Sequence, residues 1–217
     1  CACLVGSEMC IRDRLQLVVY MDAAMEMLRG QHPKKEILPG GILYYHIDDP
    51  VLESDTPLSD EEAEQALLFA LRPDGLVNSG EEIYRAMDQN FEGKSQMIPV
   101  EIKKNGEIST ARSKVASTEE FAVITRYVEH EIRQCGEAIY AGNIAVNPYR
   151  SDIETSCTYC PYGSVCGMDA KIPGYEYRQF ASMKKEEVLD QMQTELARNR
   201  EKEERSDEMD EGTAGRH

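Results

Sequence analysis

Three cysteines, Cys157, Cys160 and Cys166, stand at C-x2-C-x5-C spacing in the stretch CTYCPYGSVC. Two thiols separated by two residues can reach one metal centre from a single turn, and a third six positions on can close round it. Thiolates at such spacing suit a zinc ion or an iron–sulfur cluster, and both usually take four ligands, so the set is one short. A disulfide and three inert buried thiols are the competing readings. The Pro, Gly and Tyr content of the stretch, with little core pattern, speaks against inert burial.

Other residues have the types for chemistry but plainer explanations. Gln16 and Tyr20, four apart on a helical pattern, share one face, yet a solvated Gln and a half-buried Tyr account for them. His46, Asp48 and Asp49 end a strand and read as structural rather than metal-binding. Lys103 and Lys104 near a hairpin tip could touch phosphate, although a solvated tip explains them better. There is no phosphate loop, H-E-x-x-H, G-x-S-x-G or Rossmann glycine triplet, and so no complete active site.

The elements that must position these residues follow from periodicity and caps. Leu17, Met21, Ala24 and Leu28 form a helical stripe that Gly30 should stop. Ile42–Ile47 reads as a buried strand. Ser59, Ser79 and Ser117 each begin an S-x-x-E capping box, and Arg72–Gly75 reads as a turn. Met97–Ile102 and Glu107–Ser109 read as a hairpin round Asn105–Gly106, with Pro99 toward a sheet edge. After Ser117, the residues Phe121, Ile124, Val128, Ile132, Cys135 and Ile139 line one face of a helix ended by Gly142. That stripe makes Cys135 a core residue. Ile144–Tyr149 leads, extended, into the cysteine segment, where Tyr159, Tyr162 and Val165 would form an apolar shell. A charged helix should begin near Ser182 and fray after Thr194.

At 217 residues, 41% hydrophobic and 29% charged, the composition is that of a globular protein, and no apolar run reaches membrane-spanning length. A net charge of −16 argues against nucleic-acid binding over the whole surface, while leaving room for a local basic path. Seven cysteines, an odd number, and no secretory pattern point to the cytoplasm. Residues 1–14, CACLVGSEMCIRDR, carry three cysteines and no initiator Met, and they resemble translated adapter read-through. Cys1, Cys3 and Cys10 are therefore set apart from the chemistry.

The segment Leu15–Tyr20 resembles the Q-x-x-x-Y motif of RecB-type nucleases of the PD-(D/E)XK class, and Gly41–Pro50 resembles the strand that follows it. The C-x2-C-x5-C segment resembles their carboxy-terminal iron–sulfur staple. With the Gly75–Leu76 turn, Met87–Asp88, and Ile144–Tyr149 leading into Cys157, the order is similar to the end of the AddB-type subunits of AddAB helicase-nucleases, over about Leu15 to Arg178.

This resemblance implies an α/β restriction-endonuclease-like core in which the Ile42 strand and the Met97 hairpin join a central sheet. Residues 15–180 would form the carboxy-terminal part of the nuclease domain, with the cluster segment at 157–166 and a charged helical or disordered tail at 181–217. Cys157, Cys160 and Cys166 match three of the four ligands of a 4Fe-4S cluster, and the fourth is expected upstream. Gln16 and Tyr20 match a supporting active-site motif. The family's metal-binding Asp and its Asp/Glu-x-Lys pair precede that motif, and residues 1–14 hold no equivalent.

For an intact protein, the resemblance implies Mg2+-dependent hydrolysis of DNA in double-strand-break repair, together with an AddA-like partner and ATP hydrolysed elsewhere in the complex. It also implies that this polypeptide alone neither cuts DNA nor binds it tightly. Two alternatives stay open. One is a stand-alone iron–sulfur nuclease of CRISPR-adaptation type, and the other is an interaction module held together by Zn2+ at the three cysteines.

Overall fold

The computed structural model describes residues 11–45, 50–52, 57–89, 91–146, 148–151, 155–158, 160–179 and 183–214, without the side chains of 11–14 and 202–214. Two compact units result, one of Leu17–Ala122 and one made mainly from Val123 onward.

In the first unit, α1 (Ile11–Gln31) begins before Leu15 and runs one residue past Gly30, since a helical glycine costs only about 1 kcal/mol. Among its described side chains the buried one is Val18, next to the predicted stripe, whereas Leu28 on that stripe is exposed. β1 (Gly41–Tyr44) is shorter than the expected strand, and His46 and Ile47 lie outside the described residues. It pairs antiparallel with β2 (Asp74–Asn78), Gly41 opposite Val77 and Tyr44 opposite Asp74. β2 pairs parallel with β3 (Val115–Ala116), Val77 opposite Val115, which makes β2 the central strand.

The predicted Arg72–Gly75 turn is thus corrected: its last two residues begin the central strand. Gly75 is the reason for the misreading. Its φ is +143°, and a Cβ there would collide with the Ile42 carbonyl oxygen. Opposite, a Cβ on Gly41 would lie 2.7 Å from the Leu76 oxygen. Glycine serves here for close strand approach rather than for chain reversal.

The expected hairpin forms at its tip, where Ile102 pairs antiparallel with Ile108, Lys103 N donates to Glu107 O at 2.7 Å and Ser109 N donates to Glu101 O at 2.8 Å. Its place in the central sheet is corrected: Met97–Ser109 forms no strand of that sheet, and Glu101 makes its other bridge with Lys94. The Asn105–Gly106 turn exists, with Gly106 at φ +87°. Side chains capture the backbone groups a ladder would have used: Ser113 Oγ accepts from Glu101 N at 2.8 Å, and Ser95 Oγ accepts from both Met97 N and Ile98 N at 3.0 Å. The alternation survives all the same, because Ile98, Val100 and Ile102 enter the core with Val77, Tyr84, Phe91 and Val115. Tyr84 and Phe91 meet edge to face with ring centroids 6.2 Å apart.

Two of the three capping boxes form. At α2 (Asp60–Ala70), Ser59 N donates to Glu62 Oε2 at 2.9 Å and Glu62 N donates to Ser59 Oγ at 3.3 Å. At α4 (Thr118–Tyr140), the same exchange links Ser117 and Glu120 at 2.7 and 3.2 Å. At α3 (Glu81–Met87), the cap is Gly80 instead of Ser79, with no side-chain cap bond. Asn78 Oδ1 accepts from Gly80 N at 2.9 Å in its place.

The second unit holds most of α4, then β4 (Tyr149–Arg150), α5 (Gly163–Cys166), β5 (Arg178–Gln179) and α6 (Lys185–Ala214). Val123, Tyr127 and Val128 of α4 and Val188, Leu189 and Met192 of α6 are buried. Further along the α4 stripe, Ile132 and Ile139 are 48% and 79% exposed. Cys135 is exposed as well, which corrects its reading as core; periodicity records the face a helix offers, not whether anything covers it. α6 continues as helix past Thr194, where fraying was expected, through a run rich in Glu and Arg without proline or glycine until Gly212. Among the described residues, no helix is long and apolar enough to cross a membrane.

Candidate metal centre

The cysteine segment is a loop clasped at its base. β4 precedes it and β5 follows it, and the two pair in parallel, Tyr149 opposite Arg178 and Arg150 opposite Gln179, with Arg178 N donating to Pro148 O at 2.9 Å. Inside the clasp, Tyr149 N donates to Ser156 Oγ at 3.1 Å and Ser156 N donates back to Tyr149 O at 3.1 Å. Cys157 N donates to Thr155 Oγ1 at 3.2 Å. Cys160 N donates to Cys157 O at 3.3 Å, so the first two cysteines stand at the ends of one turn, as their spacing predicts. Cys166 closes α5, its N–H bonded to Tyr162 O at 2.8 Å, and Gly167 at φ +64° stops the helix.

All three thiols are free, Cys157 and Cys166 half-buried and Cys160 exposed. Hydrogen bonding toward the Cys157 thiol, followed by desolvation, holds the Tyr177 proton more tightly than in an ordinary tyrosine, and Arg150 opposes the effect. The Arg150 guanidinium lies 5.3 Å from the centre of the Tyr177 ring, a cation–π contact that steadies the ring.

Three soft thiolates on one short loop are the donor set that zinc and iron–sulfur clusters select. As the chain stands, no group of three His, Cys, Asp or Glu among the described residues is arranged to hold a metal ion. The donor chemistry fits and the convergence is missing. The expected apolar shell is corrected too: Tyr162 and Val165 are 67% and 85% exposed, and Tyr159 lies outside the described residues.

The other candidates are scattered. Gln16 and Tyr20 both lie on α1, Gln16 exposed and Tyr20 58% exposed. His46, Asp48 and Asp49 lie outside the described residues. Lys103 and Lys104 are exposed at their turn, Lys103 facing Glu107 at 4.0 Å. Sequence reasoning missed Tyr177 and Arg150. The available signal was a Tyr-Arg dipeptide on each side of the cysteines, Tyr149-Arg150 and Tyr177-Arg178.

The chain belongs to the PD-(D/E)XK nuclease superfamily, whose defining pattern matches residues 7–167. Within it, the chain is 37% identical over 188 residues to an ATP-dependent helicase/deoxyribonuclease subunit of the AddB type from Thermoanaerobacter sp. (strain X514), covering 87% of this chain and 16% of that protein. It is 39% identical over 184 residues to the protein of the same name from Lachnoclostridium phytofermentans, covering 81% and 16%. It is 37% identical over 183 residues to that of Clostridium botulinum (strain Hall), covering 84% and 16%. The chain thus spans 16% of the length of these relatives.

Proposed function

We propose that this chain is the carboxy-terminal part of the nuclease domain of an AddB-type protein, acting in the cytoplasm with an AddA-like partner in the resection of double-strand DNA ends. The observation that carries this reading is the likeness, at 37–39% identity over most of the chain, to proteins named for helicase and deoxyribonuclease activity. Within the chain, the clasped C-x2-C-x5-C loop supports it. Cys157, Cys160 and Cys166 would supply three thiolates to a 4Fe-4S cluster, the fourth coming from elsewhere in the intact protein. When bound, such a cluster supplies a cross-link rather than reaction chemistry. By analogy with a disulfide closing a loop of about a hundred residues, that link stabilises the fold by roughly 4 to 5 kcal/mol. The β4–β5 pair closes the base of the loop and Arg150 packs on the Tyr177 ring beside it.

Mg2+ stands differently, because the residues that the resemblance assigns to it, an Asp and an Asp/Glu-x-Lys pair ahead of Gln16, have no match in residues 1–15. Residues 1–15 contain no Lys, and hence no Asp/Glu-x-Lys. Phosphodiester hydrolysis is therefore assigned to the intact domain, with Gln16 and Tyr20 in a supporting, positioning role on α1. The 217-residue chain by itself is expected to leave linear DNA uncut in the presence of Mg2+.

A domain exchange tests the assignment. Residues 15–178 replace the matching segment of the Thermoanaerobacter protein, and the hybrid is assayed with its partner on linear DNA. Mg2+-dependent degradation together with stoichiometric iron and sulfide is the expected result. A folded, cluster-loaded hybrid without nuclease activity would sink the assignment. A colourless hybrid containing zinc would favour the interaction-module reading.

A further inference from the structure

Basic residues are the minority in this chain, 24 Lys and Arg against 40 Asp and Glu, yet three arginines meet in one place. α4 and α6 border a groove of about 310 Å3, to which α4 contributes Arg126, Glu129 and Arg133 and α6 contributes Arg200. The three arginines are exposed. Across the groove, His130 Nε2 lies 2.8 Å from the side-chain amide nitrogen of Asn199, tying the two helices together. Arg126 is already engaged within the protein. Among the described residues, neither Arg133 nor Arg200 is joined to a carboxylate.

Guanidiniums gathered on one groove of a strongly anionic protein raise the local potential and favour an anion. Their planar forks match phosphate oxygens two at a time. The half-buried Leu196 in the same groove gives an apolar surface against which a sugar can lie, and a cleft between two helices admits one strand rather than a duplex. Building on the nuclease reading above, we infer that the α4–α6 groove binds the phosphodiester backbone of single-stranded nucleic acid, with Arg133 and Arg200 on phosphate oxygens. Glu129 opposes the phosphates and keeps the site weak. Affinity on the order of 10⁻⁴ to 10⁻⁵ M is then expected near physiological salt, the range of sequence-independent binding. A groove of this kind steers a strand without retaining it.

The test is fluorescence anisotropy of a labelled oligothymidylate with the 217-residue chain as salt is raised from roughly 20 to 200 mM, a range over which phosphate contacts weaken measurably. Each phosphate contact contributes about −0.7 to the slope of log K against log salt for a single strand. The expected slope is therefore about −1.4, and Arg133→Ala and Arg200→Ala should each remove about half of it. Glu129→Gln should bind several-fold tighter, an opposite change that a folding defect would not produce. Replacing Lys103 and Lys104 together by Ala should leave the slope unchanged. Unlabelled oligothymidylate should compete far better than inorganic phosphate at equal phosphate concentration.

Absence of binding at the lowest salt, arginine variants with an unaltered slope, or a slope that vanishes with Lys103 and Lys104 would each overturn the groove assignment. Equal competition by inorganic phosphate would overturn the strand and leave a simple anion site. None of these outcomes bears on the domain exchange, which judges the nuclease reading separately.

Discussion

Asn78 Nδ2 donates to Thr118 Oγ1 at 3.0 Å, joining the end of the central strand to the first residue of α4. The same nitrogen donates to Pro39 O at 2.8 Å, and Asn78 Oδ1 accepts from Gly80 N at 2.9 Å. One side chain, 1% exposed, thus links the approach to β1, the start of α3 and the start of α4. A buried amide with both ends satisfied contributes order that an apolar residue of equal size cannot. Asn78→Leu strands the Pro39 carbonyl and the Gly80 amide, each costing about 1 to 3 kcal/mol. The expected loss of about 3 kcal/mol is read from the shift in urea midpoint. Asn78→Asp keeps the acceptor for Gly80 but loses both donations, and should fall between wild type and Leu. Equal stability of all three proteins would show that the hub does not hold the fold.

The glycines divide into two kinds that stability measurements can separate. Gly75 sits at φ +143° with no room for a methyl group against Ile42 O. Gly136, inside α4, has open space where its Cβ would be. Gly75→Ala is expected to destabilise by about 3 kcal/mol or more, because backbone at a strand pairing cannot yield as a side chain can. Gly136→Ala should stabilise by up to about 1 kcal/mol through helix propensity. Thermal melts of the two variants should therefore move in opposite directions.

Features decided by a few neighbouring residues were legible in the sequence. The boxes at Ser59 and Ser117 form because donor and acceptor lie three residues apart, and the turn between Cys157 and Cys160 follows from their spacing. Features decided by distant partners were not. Gly75 looks like a turn residue because its need for φ > 0 is visible while its partner Ile42, far back in the chain, is not. The Met97–Ser109 alternation is real and its tip pairs, yet Ser95 and Ser113 take the amides of Met97, Ile98 and Glu101, and the pairing does not extend beyond the tip. Cys135 has the right period for a core that α4 does not supply at that height. The α4–α6 groove depends on residues some seventy positions apart, each of which looks like an ordinary solvated charge by itself.

Tyr127 gives the fold an alkaline limit. Burial, then the charges of Glu131 and Glu195, hold its phenol well above the ordinary value of 10.0, and its hydroxyl donates to Glu195 Oε2 at 3.2 Å. The folded chain keeps this proton at a pH where the unfolded chain has released it. The contribution is therefore complete below about pH 10 and is lost progressively as the pH rises from there toward the folded value. Tyr127→Phe removes this term along with the hydrogen bond. Its deficit relative to wild type, measured in urea, should be constant between about pH 7 and 9, each a value below the ordinary tyrosine range, and shrink at about pH 11. A deficit that grows with alkalinity would contradict the assignment.

The cysteines can be ranked by what each should do to bound metal. Cys157, Cys160 and Cys166 lie on one clasped loop, while Cys135 stands exposed on α4. In the hybrid protein carrying residues 15–178, replacing any loop cysteine by Ser removes one of three local thiolates. It should abolish the iron–sulfur absorbance and lower the melting temperature, because a cluster left with two local ligands no longer ties the loop to the rest of the fold. Cys135→Ser should leave both unchanged. Tyr177→Phe should keep the iron content but hasten its loss to a chelator, since the hydroxyl that contacts Cys157 is a partner of the ligand rather than a ligand. Retention of full iron content by Cys160→Ser would mean that the exposed thiol is not a ligand, and the three-cysteine centre would have to be redrawn without it.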